Sequence, residues 1–132
     1  MAVELSRKVQ ELIEARNFGN LATIMPDGSP HVAPVWIDHD GNDVLINTAE
    51  GRQKMKNMRR DPRVAMDIFD QENPYDMVAL RGRVVEMKHE GADAHIDKLS
   101  KKYTGQDVYA NRRPGEQRVI VRIRLDWIAG RR

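Results

Sequence analysis

Two tight turns set close together constrain this chain more than any other feature. Pro26-Asp27-Gly28-Ser29-Pro30 joins prolines, which preset φ, to an Asp-Gly pair that tolerates positive φ. His39-Asp40-Gly41-Asn42 repeats that chemistry shortly afterwards. Around them lie three extended runs: Leu21–Met25, His31–Asp38 and Val44–Thr48. In the second, His31, Ala33, Val35 and Ile37 alternate with Val32, Pro34, Trp36 and Asp38. Short runs joined by tight turns predict an antiparallel meander. Pro34 has no N–H to give to a ladder, so this strand belongs at an edge or carries a bulge.

The other elements follow from periodicity. Leu5, Val9, Leu12 and Ile13 share one helical face, predicting a helix over 3–17 that stops at Asn17-Phe18-Gly19. Residues 51–60 read as a short helix with Met55 and Met58 inward, ended by Asp61-Pro62. Strands follow over 63–69 and 77–88, with Gly82 marking a bend or a close backbone approach. Residues 90–103 read as a third helix, and Val119, Val121, Ile123, Leu125 and Trp127 form the inner face of a last strand. No βαβ rhythm appears. The expected fold is mainly β: one domain over 1–132, a closed or partly closed barrel of six antiparallel strands with peripheral helices.

Several function classes drop out. The chain has no cysteine, so thiol catalysis, disulfides and thiolate metal sites are absent. His31, His39, His89 and His95 show no metal-ligand spacing, and none of Ser6, Ser29 and Ser100 sits in a G-x-S-x-G elbow. No metal site is expected. Neither a Walker motif nor G-x-G-x-x-G is present. If the protein is an enzyme, a cofactor carries the chemistry. A net charge of +2 and 5% aromatic residues argue against a dedicated nucleic-acid binder. No apolar run approaches the ~18 residues of a membrane span, and the N-terminus lacks a signal-peptide core. A cytoplasmic location is the default expectation.

One cluster carries chemistry. Between Asn47 and Arg60 a strand end delivers Thr48, Gly51 opens a helix, and Arg52, Lys54 and Lys56 occupy its first turns. Helix N-termini attract phosphate, Arg forks onto two oxygens, and Lys adds a mobile charge. The alternative is a solvated basic helix face. At Pro34 the alternatives are a tolerated edge proline or disrupted backbone facing a ligand.

Leu21–Trp36, Asn47–Lys54, Asn57–Val64, Glu72-Asn-Pro-Tyr75 and Arg81-Gly-Arg-Val84 together resemble the flavin/deazaflavin oxidoreductase superfamily. This is the pyridoxamine 5′-phosphate oxidase-like split β-barrel group, and the branch in view uses coenzyme F420. The resemblance implies a homodimer with cofactor sites at the subunit interface. It assigns the cofactor phosphate to Thr48, Arg52 and Lys54, with Asn47 and Asn57 nearby. It lays Pro34, Val35 and Trp36 against the ring, and brings Tyr75, with Met77, from the second subunit. The polyglutamate tail of F420 would suit Lys56, Arg59 or Arg60. Vitamin B6 oxidation is not expected, because residues after the last strand are few.

Three readings follow. The first is hydride transfer from reduced F420 to a small unsaturated acceptor such as a quinone, enone or tetrapyrrole. The second is an FMN-binding oxidoreductase, and the third a non-catalytic F420/FMN-binding protein. No catalytic residue is assigned; Tyr75, Tyr103 and Tyr109 are proton-donor candidates on chemistry alone. Loops 70–76 and 105–116 are expected to shape the acceptor side. Exposure of Ile120 and Trp36 is expected to favour dimerisation.

Overall fold

The computed structural model describes residues 3–130. The elements are α1 (Arg7–Glu14), β1 (Gly19–Ile24), β2 (Pro30–Val35), β3 (Asp38–Asp40), β4 (Asp43–Ala49), α2 (Gln53–Arg60), β5 (Arg63–Phe69), β6 (Met77–Lys88), α3 (Ala92–Thr104) and β7 (Arg118–Gly130). All strand pairs are antiparallel, in the order β2-β1-β5-β6-β7-β4-β3.

The two edge strands, β2 and β3, are joined by Trp36 and Ile37 alone. Three Cα steps span at most about 11 Å. The sheet must therefore curl until its edges lie side by side, which makes a barrel. Its interior holds Leu21, Ile37, Ile46, Met66, Ile68, Val78, Leu80, Val119, Val121 and Ile123, all buried. The helices stay outside: α1 against β3 and β5, α2 against β1, and α3 against β7 and β4. Among the described residues no helix is long and apolar enough to cross a membrane.

The mainly β antiparallel architecture is the one expected, with seven strands instead of six. The run His31–Asp38 divides because Ile37 leaves the ladder. Its amide donates to the Tyr103 hydroxyl at 3.0 Å and its carbonyl accepts from Lys102 Nζ at 2.8 Å. A buried residue outside the ladder must find such partners elsewhere.

The first helix is shorter than the expected 3–17. Ser6 caps it, accepting from the Val9 amide, while Leu5 donates to Asn42 and Val3 to the Leu125 carbonyl. Those residues are tied to the barrel. At the other end the Asn17 side chain donates to the Leu12 carbonyl, closing the helix. Pro34 lies in edge strand β2, whose one partner is β1, so its missing donor costs no ladder bond. Gly82 sits at a register shift between β6 and β7. A Cβ there would meet the Arg124 carbonyl oxygen at 2.2 Å, so strand approach requires glycine.

Candidate cofactor cleft

An open cleft of about 580 Å³ lies where the β2 end, the β4 end and the start of α2 converge. Edge strand β2 supplies Pro34, Val35 and the following Trp36 as one wall. From β4 come Asn47 and Thr48, neighbours on the chain and therefore on opposite faces of their strand. Gly51, at φ +89°, turns the chain out of β4 so that Arg52, the α2 N-cap, and Lys54 reach the rim. Such a turn favours glycine because L side chains clash there.

Aromatic packing holds the β2 wall. The Trp36 ring stacks on Tyr103 at 5.0 Å between centroids and 6° between planes. Tyr109 meets Trp36 edge-on at 5.8 Å. Trp36 is thus half-covered by its own chain, and Ile120 is half-buried, so neither is the bare surface expected from the sequence. The most exposed of the large apolar side chains are Val32, Tyr75 and Val108.

Sequence reasoning passed over Arg118. Its side chain is only 5% exposed. Its Nε donates to Asn47 Oδ1 at 2.9 Å and its Nη1 to Glu116 Oε1 at 3.0 Å, and its guanidinium lies over the Tyr109 ring. The strand register sets it opposite Ala49 at the end of β4. Glu116 also lies 3.7 Å from Arg52. Arg52 and Arg118 thus share one carboxylate, and Lys54, in the same cleft lining, has no ion pair of its own among the described residues. Burial first, then the charges of Arg52 and Arg118, push the Lys54 ammonium below its ordinary pKa. An anion placed there relieves that repulsion.

The floor holds a second signature. The Thr48 hydroxyl is buried and has no hydrogen-bond partner among the described residues. Buried polar atoms are rarely left so, and an unpaired one costs about 1–3 kcal/mol. A hydroxyl, three cations and an apolar-aromatic wall form a donor set for a phosphate attached to a flat ring. Ile96, Tyr109 and Asn111 complete the lining.

Of the residues singled out in the sequence, the cleft gathers Pro34, Val35, Trp36, Asn47, Thr48, Arg52 and Lys54. Asn57 lies elsewhere: on the buried face of α2, it donates to Thr23 Oγ1 at 3.0 Å and accepts from Gln53. Tyr75 is 78% exposed in the β5–β6 loop, away from the cleft lining. Arg59 pairs with Glu50, and Arg60 donates to the Ile24 carbonyl, so both have partners of their own. The Tyr103 hydroxyl is engaged by backbone on both sides, which removes it as a proton donor to the cleft. Segment 105–116 contributes Tyr109 and Asn111 to the cleft lining. Asp97 on α3 anchors it, accepting from the Tyr109 amide and from Arg112. Among the described residues no group of His, Asp and Glu suits a metal ion.

Comparison with known proteins identifies the family of this fold. A family model described as pyridoxamine 5′-phosphate oxidase matches residues 5–132. A solved F420 reductase is 32% identical, with a TM-score of 0.80 over 91% of this chain and 94% of its own. A conserved hypothetical protein from Mycobacterium tuberculosis is 26% identical, with a TM-score of 0.70 over 96% and 84%. General Stress Protein 26 from Bacillus anthracis shares the fold at 20% identity and a TM-score of 0.66, over 92% and 88%. The chain belongs to the pyridoxamine 5′-phosphate oxidase-like split-barrel family, whose fold binds FMN or the deazaflavin F420.

Proposed function

We propose that this protein is an F420-dependent oxidoreductase that passes a hydride from reduced F420 to a small, flat, unsaturated acceptor. The observation that carries the reading is the unpartnered Thr48 hydroxyl on the floor of a cleft rimmed by Arg52, Lys54 and Arg118. The likeness to an F420 reductase favours the deazaflavin.

Each residue has a part in this reading. Thr48 donates to a phosphate oxygen, Arg52 forks onto two, and Lys54 adds a point charge. Arg118 is held in place by Glu116 and Asn47 and so presents its charge without losing side-chain entropy on binding. Pro34, Val35 and Trp36 form the wall for the ring, with Trp36 fixed by Tyr103. Tyr109 excludes water from the open side. Bound F420 supplies a two-electron hydride, so the chain needs no metal of its own. The active unit is a homodimer in which a second copy brings Tyr75 and Met77 toward the open side.

FMN is the second reading, favoured by the same cations: Arg52, Lys54 and Arg118 in one cleft lining also suit a phosphate monoester. Titration of the purified protein with F420 and with FMN separates the two. Tighter binding of F420 is expected, and tighter binding of FMN overturns the deazaflavin assignment. Turnover of reduced F420 with quinones, enones and tetrapyrroles separates an enzyme from a carrier.

A further inference from the structure

A hydrogen-bond chain of fixed direction runs behind the cleft. Arg118 Nε donates to Asn47 Oδ1 at 2.9 Å. Asn47 Nδ2 donates to the Ala92 carbonyl at 2.9 Å and lies 3.1 Å from His95 Nδ1. His95 Nε2 lies 3.0 Å from Asp38 Oδ2. The first two contacts fix the Asn47 amide. Turned over, its oxygen would face the Ala92 carbonyl and its NH₂ would face the Arg118 N–H. Nδ2 is therefore the donor toward His95, whose Nδ1 must be bare. The ring proton sits on Nε2 and points to Asp38.

The side chain of His95 is 8% exposed, so bulk water does not replace a lost partner. The charges facing it are Asp38 from β3, Lys98 from α3, which also pairs with Asp38, and Arg118 with Glu116 beyond Asn47. Burial pushes the Asp38 carboxyl up. The bonds from His95, the His39 amide and Lys98 outweigh this and hold it well below the usual range, so it stays an acceptor in mild acid.

We propose that His95 is a positioning residue for the anion site, holding Arg118 through Asn47 only while its Nδ1 is unprotonated. A second ring proton sets N–H against NH₂. Asn47 must then turn or withdraw, and Arg118 loses its Nε partner and its aim at the cleft. Acid that protonates Nδ1 therefore weakens anion binding, and the comparison that reads it is pH 8 against pH 5.5. The inference rests on the reading of the cleft as an anion site.

Sulfate tests it, because its charge is constant over this range. Its apparent affinity is read from the sulfate-dependent rise in melting temperature at pH 8 and pH 5.5. The parent should lose roughly fivefold or more in affinity at the lower pH, the lower end of ordinary coupling between sites. Gln presents one acceptor and one donor but does not titrate, so His95→Gln should show little acid loss, whereas His95→Leu should bind weakly at both pH values. An equal acid loss in parent and His95→Gln overturns the proposal. Absence of any sulfate effect in the parent overturns the anion-site reading together with it. NMR of the His95 ring in the parent gives a measurement independent of the variants. Sulfate should move its titration to lower pH, by reciprocity. A nearby anion acting through charge alone moves it to higher pH, and that result also overturns the proposal.

Discussion

The Ile37 amide donates to the Tyr103 hydroxyl at 3.0 Å, so the link that closes the barrel is held by a side chain from α3. The same hydroxyl donates to the Asn17 carbonyl at 2.6 Å, and the neighbouring Lys102 donates to the Ile13 and Ile37 carbonyls at 2.7 and 2.8 Å. The end of α1 and the β2–β3 link are thus clamped by two consecutive residues of α3.

Tyr103→Phe keeps the ring against Trp36 but strands the buried Ile37 amide. A stability loss of about 1–3 kcal/mol is expected, the cost of an unpaired buried donor. Urea unfolding measures it. An unchanged midpoint would show that water replaces the hydroxyl.

Lys102 makes stability depend on alkaline pH. Burial, partly offset by the charge of Asp38, lowers its pKa to about 8 from an ordinary 10.5. Between about pH 8 and 10 the unfolded chain keeps a proton that the folded chain has released, so stability rises with pH across that window. Above pH 10 Tyr103 works the other way. Burial raises it to about 12, so the unfolded chain loses that proton first and stability falls. Unfolding midpoints from pH 7.5 to 9.5 should climb in the parent and climb less in Lys102→Met.

Lys54→Ala and Arg52→Lys should each weaken cofactor binding. Loss of a charge-assisted hydrogen bond costs about 1.5–3 kcal/mol, or roughly 10- to 150-fold in dissociation constant. Lys54→Ala should leave the melting temperature of the free protein unchanged or raised, because burial and the charges of Arg52 and Arg118 disfavour its ammonium. Fluorescence titration with F420 and FMN checks both variants. Parent-like affinity in both would reduce the cluster to a solvated helix face.

Gly82→Ala should cost stability at the upper end of the about 1–3 kcal/mol typical of overpacking. The new Cβ meets the backbone of β7 at Arg124 and Leu125, which no rotamer change can move aside. Circular dichroism melts report it, and a neutral result would mean that the two strands separate freely there.

Tyr75 and Tyr109 should separate by mechanism. Tyr109→Ala opens the cleft wall within one chain and should weaken cofactor binding at any protein concentration. Exposed Tyr75 has no cleft contact in its own chain, so Tyr75→Ala should act only through a second copy. Light scattering at micromolar concentration should give a dimeric mass, and Tyr75→Ala should alter acceptor preference in that dimer. A monomeric mass removes the role assigned to Tyr75.

What the sequence disclosed and what it hid divide along physical lines. Alternation and turn chemistry located β5, β6 and the two hairpin turns, because a half-buried strand writes its faces in every second residue. Pro34 and Gly82 declared an edge and a close approach through what they lack. Arg118 stayed hidden because its inward turn depends on Asn47, seventy-one positions away, and on Glu116. Asn57 misled for a related reason. An amide in a basic helix looks like a phosphate ligand until the Thr23 hydroxyl beneath it is known. The break at Ile37 left no local trace, since its backbone partners come from α3.

Closure through Trp36 and Ile37 has a mechanical consequence. β2 and β3 end the strand order, so the barrel has one seam that no ladder stitches, and Trp36, at that seam, is also a wall of the cleft. A ligand gripped between Trp36 and the cations of α2 and β7 spans from one lip of the seam to elements beyond the other. Occupancy should therefore slow the opening of the barrel as well as shift its equilibrium. Backbone amides of β3 and β4 would then record the ligand as slower hydrogen exchange, even where they touch none of its atoms.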